Sequence, residues 1–272
     1  MKYTFEEIRL TMQSLKDFES KELAELVLST IWSYGKEFIP SLYGIYEPLT
    51  CKTSISNYDE LVKLWLNADK NSLLTGCSFG QLLAESKGKK NVSYSVRWDK
   101  SNYFHFNSFS MTAGLSFLKN KDVFQRFIDI CERLIILIEP VHGEIVNHSF
   151  PDSLSPKNLR IRLPELNAFV IFGEPYVKMF GKEKLLKTPC FKTKEIWENT
   201  IILQLVEDIF NPVDDFVRNR IKEYLGKECF VETGKTYRNY KDGKIPDFDF
   251  SDIIYDKNKT MLEYEIRKRD KL

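Results

Sequence analysis

Two hydrophobic periodicities stand side by side in the middle of this chain, and they restrict its fold more than any other feature. Val92, Tyr94, Val96 and Trp98 alternate with Asn91, Ser93, Ser95 and Arg97, the pattern of a strand with one face buried. Asp99-Lys100-Ser101-Asn102 reads as a turn into a second strand, Tyr103 to Met111, so a hairpin is expected. From Asn120 the apolar positions Phe124, Phe127, Ile128, Cys131, Leu134, Ile135 and Ile138 repeat at helical spacing until Pro140 stops them. A one-faced hairpin and a one-faced helix both need apolar cover, and the simplest expectation is that the helix packs on the hairpin.

The rest of the chain interleaves helix and strand without a steady alternation. Ser20 caps a helix carrying Leu23, Leu26, Val27, Ile31 and Tyr34, with Gly35 at its end. Asn57 and Glu60 form a capping box before Leu61, Leu64 and Trp65. Residues 66–91 read as loop with a short helical piece from Gln81 to Glu85. Further on come a Pro/Ser-rich link from Pro151 to Pro156, alternating Leu159 to Leu163, and an apolar run from Ala168 to Phe172. Asn211-Pro212 reads as the start of a helix with the stripe Val213, Phe216, Val217, Ile221 and Leu225, closed by Gly226. The expected class is α+β, a mostly antiparallel sheet packed against helices, in a single compact domain or two intimate halves. The expected division is a helical and loop region over residues 1–90 and an α+β core over 91–272.

Several function classes lose support at this level. The longest apolar run near a helix is Leu134 to Ile138, five residues where a membrane span needs about 20. Glu6 and Glu7 stand where a signal peptide would be apolar, so the expected location is cytoplasmic and no membrane partner is expected. Forty Lys+Arg against 39 Asp+Glu argue against direct nucleic-acid binding. The five cysteines contain no C-x-x-C pair, which excludes a zinc ribbon or a dithiol redox motif.

The chemical motifs are each incomplete. His142-Gly143-Glu144 with Pro189-Cys190 resembles a zinc-deaminase pattern, but Thr193 stands where the second thiolate is required. Gly234-Lys235-Thr236 mimics the end of a phosphate-binding loop whose first glycine is replaced by Cys229. His105, His142 and His148 are the only histidines, and none accompanies a nucleophile motif. The expectation is therefore a protein with no catalytic residues, no metal and no cofactor. Asp247, Asp249 and Asp252, two of them flanking Phe248, would present carboxylates together if the rings of Phe248 and Phe250 turned inward. These three aspartates are the candidate partner-binding residues. An acidic strip of this kind suits a basic protein partner.

A longer stretch carries a family resemblance. Phe172-Gly173-Glu174-Pro175-Tyr176-Val177, then Gly181-Lys182-Glu183-Lys184-Leu185, Pro189, a hairpin-like Ile196 to Val206, and the late Pro246-Asp247-Phe248-Asp249 follow one another in order. Together with the helix exit Ile138 to Gly143, this resembles the immunity protein 52 family and related type VI secretion immunity proteins over roughly residues 92–255. In that family a tyrosine-bearing helix, a G-x-E-x-L turn and a late proline before acidic-aromatic residues recur. The resemblance implies that Gly173, Pro175, Tyr176, Gly181, Pro189 and Pro246 fix the shared fold. It further implies a non-catalytic bacterial antitoxin that neutralises a cognate type VI or related polymorphic toxin, in some cases a nuclease. The alternative is an interaction module of the same fold with no toxin partner, and a homodimer is left open.

Overall fold

The computed structural model describes residues 6–52, 58–66, 78–86, 92–100, 105–150, 158–232 and 243–253. They form one antiparallel sheet of ten strands flanked by helices, an α+β architecture. In chain order the strands are β1 (Glu7–Ser14), β2 (Leu42–Gly44), β3 (Cys51–Lys52), β4 (Ser78–Glu85), β5 (Val92–Lys100), β6 (Asn107–Gly114), β7 (Pro140–Asn147), β8 (Phe169–Phe172), β9 (Lys192–Trp197) and β10 (Thr200–Gln204). They lie in the order β3-β2-β4-β5-β6-β1-β7-β8-β10-β9. The helices are α1 (Lys21–Ser33), α2 (Tyr58–Leu66), α3 (Leu115–Leu118), α4 (Lys121–Ile138), α5 (Glu174–Phe180), α6 (Lys182–Leu186) and α7 (Asp215–Leu225).

The expected hairpin forms with shifted bounds: Asp99 and Lys100 belong to β5 rather than to a turn, the second strand begins at Asn107 and runs on to Gly114, β5 pairs with β6 from Val92↔Ala113 to Arg97↔Ser108, and Val92, Tyr94, Val96 and Trp98 are buried. Helix α4 also forms as expected, with the Asn120 carboxamide accepting from the N–H groups of Asp122 and Val123, and Phe127 fully buried. The expected contact between them is corrected. α4 makes its main contacts with α1, α3, β1 and β9, because β1 inserts between β6 and β7 and takes the place beneath the helix. The hairpin is covered instead by α1 and α2, where Trp32 Nε1 donates to Tyr94 Oη (3.2 Å) and Trp98 Nε1 donates to the Trp65 carbonyl (2.8 Å).

Other readings are corrected too. The first ninety residues are not merely helix and loop, since β1 sits mid-sheet and β4 pairs along β5, joining them to the core of 91–272. Gln81 to Glu85 lies in strand β4, and Leu159 to Leu163 is a turn that buries the two leucines. Helix α7 starts after Pro212, capped by Asp214, whose carboxylate accepts from Phe216 N–H (2.7 Å). Asn57, the link from Pro151 to Pro156 and Gly234 to Thr236 lie outside the described residues.

Alternation along the strands sorts the two faces. Leu10, Met111, Ile145 and Phe169 share the face under α1, α2 and α4, whereas His142, Glu144, Val170 and Phe172 look the other way, toward α5. β7 is consequently buried along its whole length.

Candidate functional site

The residues of the family resemblance build the second face. Gly173 opens α5 where its backbone presses on β7: an added Cβ would lie 1.8 Å from the Pro140 carbonyl oxygen, so no side chain fits. Gly181 breaks α5 from α6 at φ +87°, a region that favours glycine. Tyr176 is buried against His142, Phe172 and Phe180, with ring centroids 5.2 to 6.1 Å away. The Pro189 carbonyl accepts from Arg220 (2.7 Å), and Pro246 is buried. Pro175 lies in the first turn of α5, where a proline costs no hydrogen bond.

Beside them a polar network is sealed inside. Glu144 accepts from the Asn167 amide, Glu165 pairs with Lys222 at 2.6 Å, Lys222 also donates to the Val231 carbonyl (2.6 Å), and Arg218 donates to the Leu166 carbonyl (3.1 Å). Burial raises the Glu144 carboxyl to about 7, assisted by the nearby Glu165 charge and opposed by the Asn167 hydrogen bond. Burial lowers the Lys222 amine, with Glu165 opposing the shift. Desolvation among aromatic rings drives His142 down to about 3, so its imidazole is neutral at pH 7. Among the described residues no group of three or more His, Cys, Asp or Glu side chains is placed to hold a metal ion. His142 and Glu144, two residues apart on one strand face, are spent on packing and on Asn167 respectively.

One prediction arises from this network. A carboxyl whose pKa is raised on folding is stabilising in its protonated form, so its contribution is full below about 4.5 and is lost as pH rises through about 7. Glu144→Gln should therefore match the parent near pH 4.5 and exceed it at pH 8, by of order 2–3 kcal/mol, in paired urea melts. A constant difference across that range would show that Glu144 does not titrate on folding.

The candidate site opens on the same side, at the end of the sheet where α4 stops. An open cleft of about 800 Å³ is walled by Leu15 to Asp17 after β1, the α4 exit at Glu139 to Val141, α5, the β9–β10 turn and the segment carrying Asp247, Asp249 and Asp252. Seven carboxylates line it, from Asp17, Glu139, Glu174, Glu198, Asp247, Asp249 and Asp252, against the two lysines Lys16 and Lys178. Lys16 is held by Glu139 (2.6 Å) and the Leu137 carbonyl (2.9 Å), Lys178 by Glu174 (2.8 Å), and Asp17 binds Lys100 (2.7 Å). Glu198, Asp247 and Asp252 form no ion pair with a described residue and are exposed. The C-terminal end of α4 adds the negative pole of an 18-residue helix.

The structure thus brings the three sequence-predicted aspartates into one acidic concavity. Phe250 is buried and Phe248 half-buried while Asp247 and Asp249 face solvent, as the alternation implied, although the segment is irregular rather than a paired strand. The sequence reading missed Trp197. It is 51% exposed at the cleft rim, held by a tight turn in which Asn199 takes φ +56°. Its signal was an aromatic residue immediately before the polar pair Glu198-Asn199 in the hairpin already recognised.

No protein-family model matches the sequence, and no curated protein matches it significantly. The fold resembles that of a solved T6SS protein. That neighbour, protein PA0821 of Pseudomonas aeruginosa, matches with a TM-score of 0.50 over 80% of this chain and 75% of its own, at 14% identity. Likeness at this identity establishes a common fold. No helix among the described residues is long and apolar enough to cross a membrane.

Proposed function

We propose that this protein is an immunity protein of the type VI secretion kind, related to the immunity protein 52 family, which binds a cognate toxin in the cytoplasm and blocks it without catalysis. The acidic cleft carries this reading. A chain of net charge +1 gives no overall attraction for a cationic toxin, yet seven carboxylates and a helix C-terminus concentrated on one concave surface do so locally. A toxin that grips a polyanion, as a nuclease does, needs a basic substrate face, and that face is the complement of this cleft. Trp197 adds what charge lacks: a large amphipathic side chain on a rigid turn, the residue type that most often anchors a protein interface. The fold shared with a T6SS protein supports the same reading.

The test is co-expression with a candidate toxin domain taken from an open reading frame adjacent to this gene. The expected outcome is restored growth and a stoichiometric complex on gel filtration. Trp197→Ala should weaken that complex at least tenfold, the loss of one large aromatic anchor. Growth arrest undiminished by co-expression, with no complex formed, would overturn the proposal.

A further inference from the structure

The cleft wall that carries the three aspartates is attached differently from the other walls. Residues 243–253 contain no regular secondary structure, and their backbone joins the body at Lys244, whose N–H donates to the Glu228 carbonyl (3.0 Å). Farther along, Phe248 and Phe250 meet Phe106 with centroids 4.9 and 5.0 Å apart, Phe248 meets Tyr176 at 6.1 Å, and Arg160 lies 5.5 Å over Phe250. Phe250 and Ile253 make a small apolar cluster of their own, joined to the main core through the half-buried Leu15, Phe106 and Phe248, which pack against both.

We propose that residues 243–253 form a strap that swings away from the cleft while the sheet stays folded, uncovering Phe106 and Tyr176 as an apolar floor. A segment held by a satellite cluster rather than by a ladder of strand hydrogen bonds opens at a fraction of the global unfolding free energy. As a means of admitting a partner, this opening rests on the cleft being the binding site. The opening itself does not depend on any partner.

The experiment measures opening in the full chain alone. Ile253→Cys places a thiol at a position 2% exposed, and native Cys131, fully buried on the inner face of α4, serves as an internal control. Labelling by N-ethylmaleimide is followed by mass spectrometry, each rate taken relative to the same site in urea. The strap thiol should label at least 100-fold faster than Cys131. Adding Phe250→Ala should raise the strap rate at least another tenfold and leave Cys131 unchanged. Labelling of both sites at one rate would overturn the proposal. If Ile253→Cys does not fold, hydrogen exchange on the unmodified protein decides: the Ile253 amide, bonded to the Phe250 carbonyl (3.1 Å), should exchange far faster than the β7 amides, and equal protection would overturn it. Failure to neutralise a toxin would remove the function proposed above and leave this result untouched.

Discussion

Replacing Asp247, Asp249 and Asp252 together by lysine is expected to slow association with the cognate toxin by an order of magnitude or more. The substitution turns a cleft of seven carboxylates and two lysines into one of four carboxylates and five lysines, so the long-range attraction that steers a basic partner becomes repulsion. Rim charges act chiefly on the association rate, which is why the rate, measured by stopped flow at several salt concentrations, is the informative quantity. Its salt dependence should flatten or change sign, because screening then removes a repulsion. Stability should change little. Asp247 and Asp252 are exposed, and Asp249 gives up a local hydrogen bond from Ser251 N–H (2.9 Å) at a cost of about 1 kcal/mol. A folded triple variant that associates at the parental rate with parental salt dependence would place the interface elsewhere on the surface.

What could be read in the sequence was local, and what escaped it was not. Ser20 and Asn120 cap α1 and α4 because a short polar side chain before an apolar period suffices to start a helix, and both interactions span only three residues. The β5–β6 hairpin was legible for the same reason. Strand β1 escaped although Ile8, Leu10 and Met12 alternate: its neighbours β6 and β7 lie about 100 and about 130 residues away, and no turn signal announces such a pairing. Gln81 to Glu85 looked helical in isolation and became a strand because β5 offered it a complete ladder. The aspartates were identifiable as an exposed strip, yet the cleft was not, since its walls come from five segments distant in sequence.

Helix α7 shows most directly how tertiary context overrides pattern. Periodicity placed Phe216 inside, but it is 71% exposed, while Arg218 and Lys222 are buried. Two cations sit on the inner face because the stretch before β8 supplies the Leu166 carbonyl for Arg218 and the Glu165 carboxylate for Lys222, to which the Val231 carbonyl after α7 adds a further acceptor. No hydrophobicity scale can foresee this, because the compensation lies in residues some fifty positions upstream.

The same network supports the largest stability effect expected here. Lys222→Met should cost roughly 3–5 kcal/mol, because it removes the cation but leaves Glu165, 7% exposed, facing Glu144 across the interior with no counter-charge. Glu165→Gln alone should also destabilise, through an unpaired Lys222 ammonium that is only 4% exposed. The double variant should recover most of either loss, since a buried pair replaced by a neutral pair of similar volume removes two desolvation penalties along with one attraction. The sign of the coupling in a double-mutant cycle, read from urea midpoints at pH 7, is therefore the decisive quantity. Additive losses would mean that Glu165 and Lys222 act through different partners, and the Val231 carbonyl would then be the contact that holds the lysine inside.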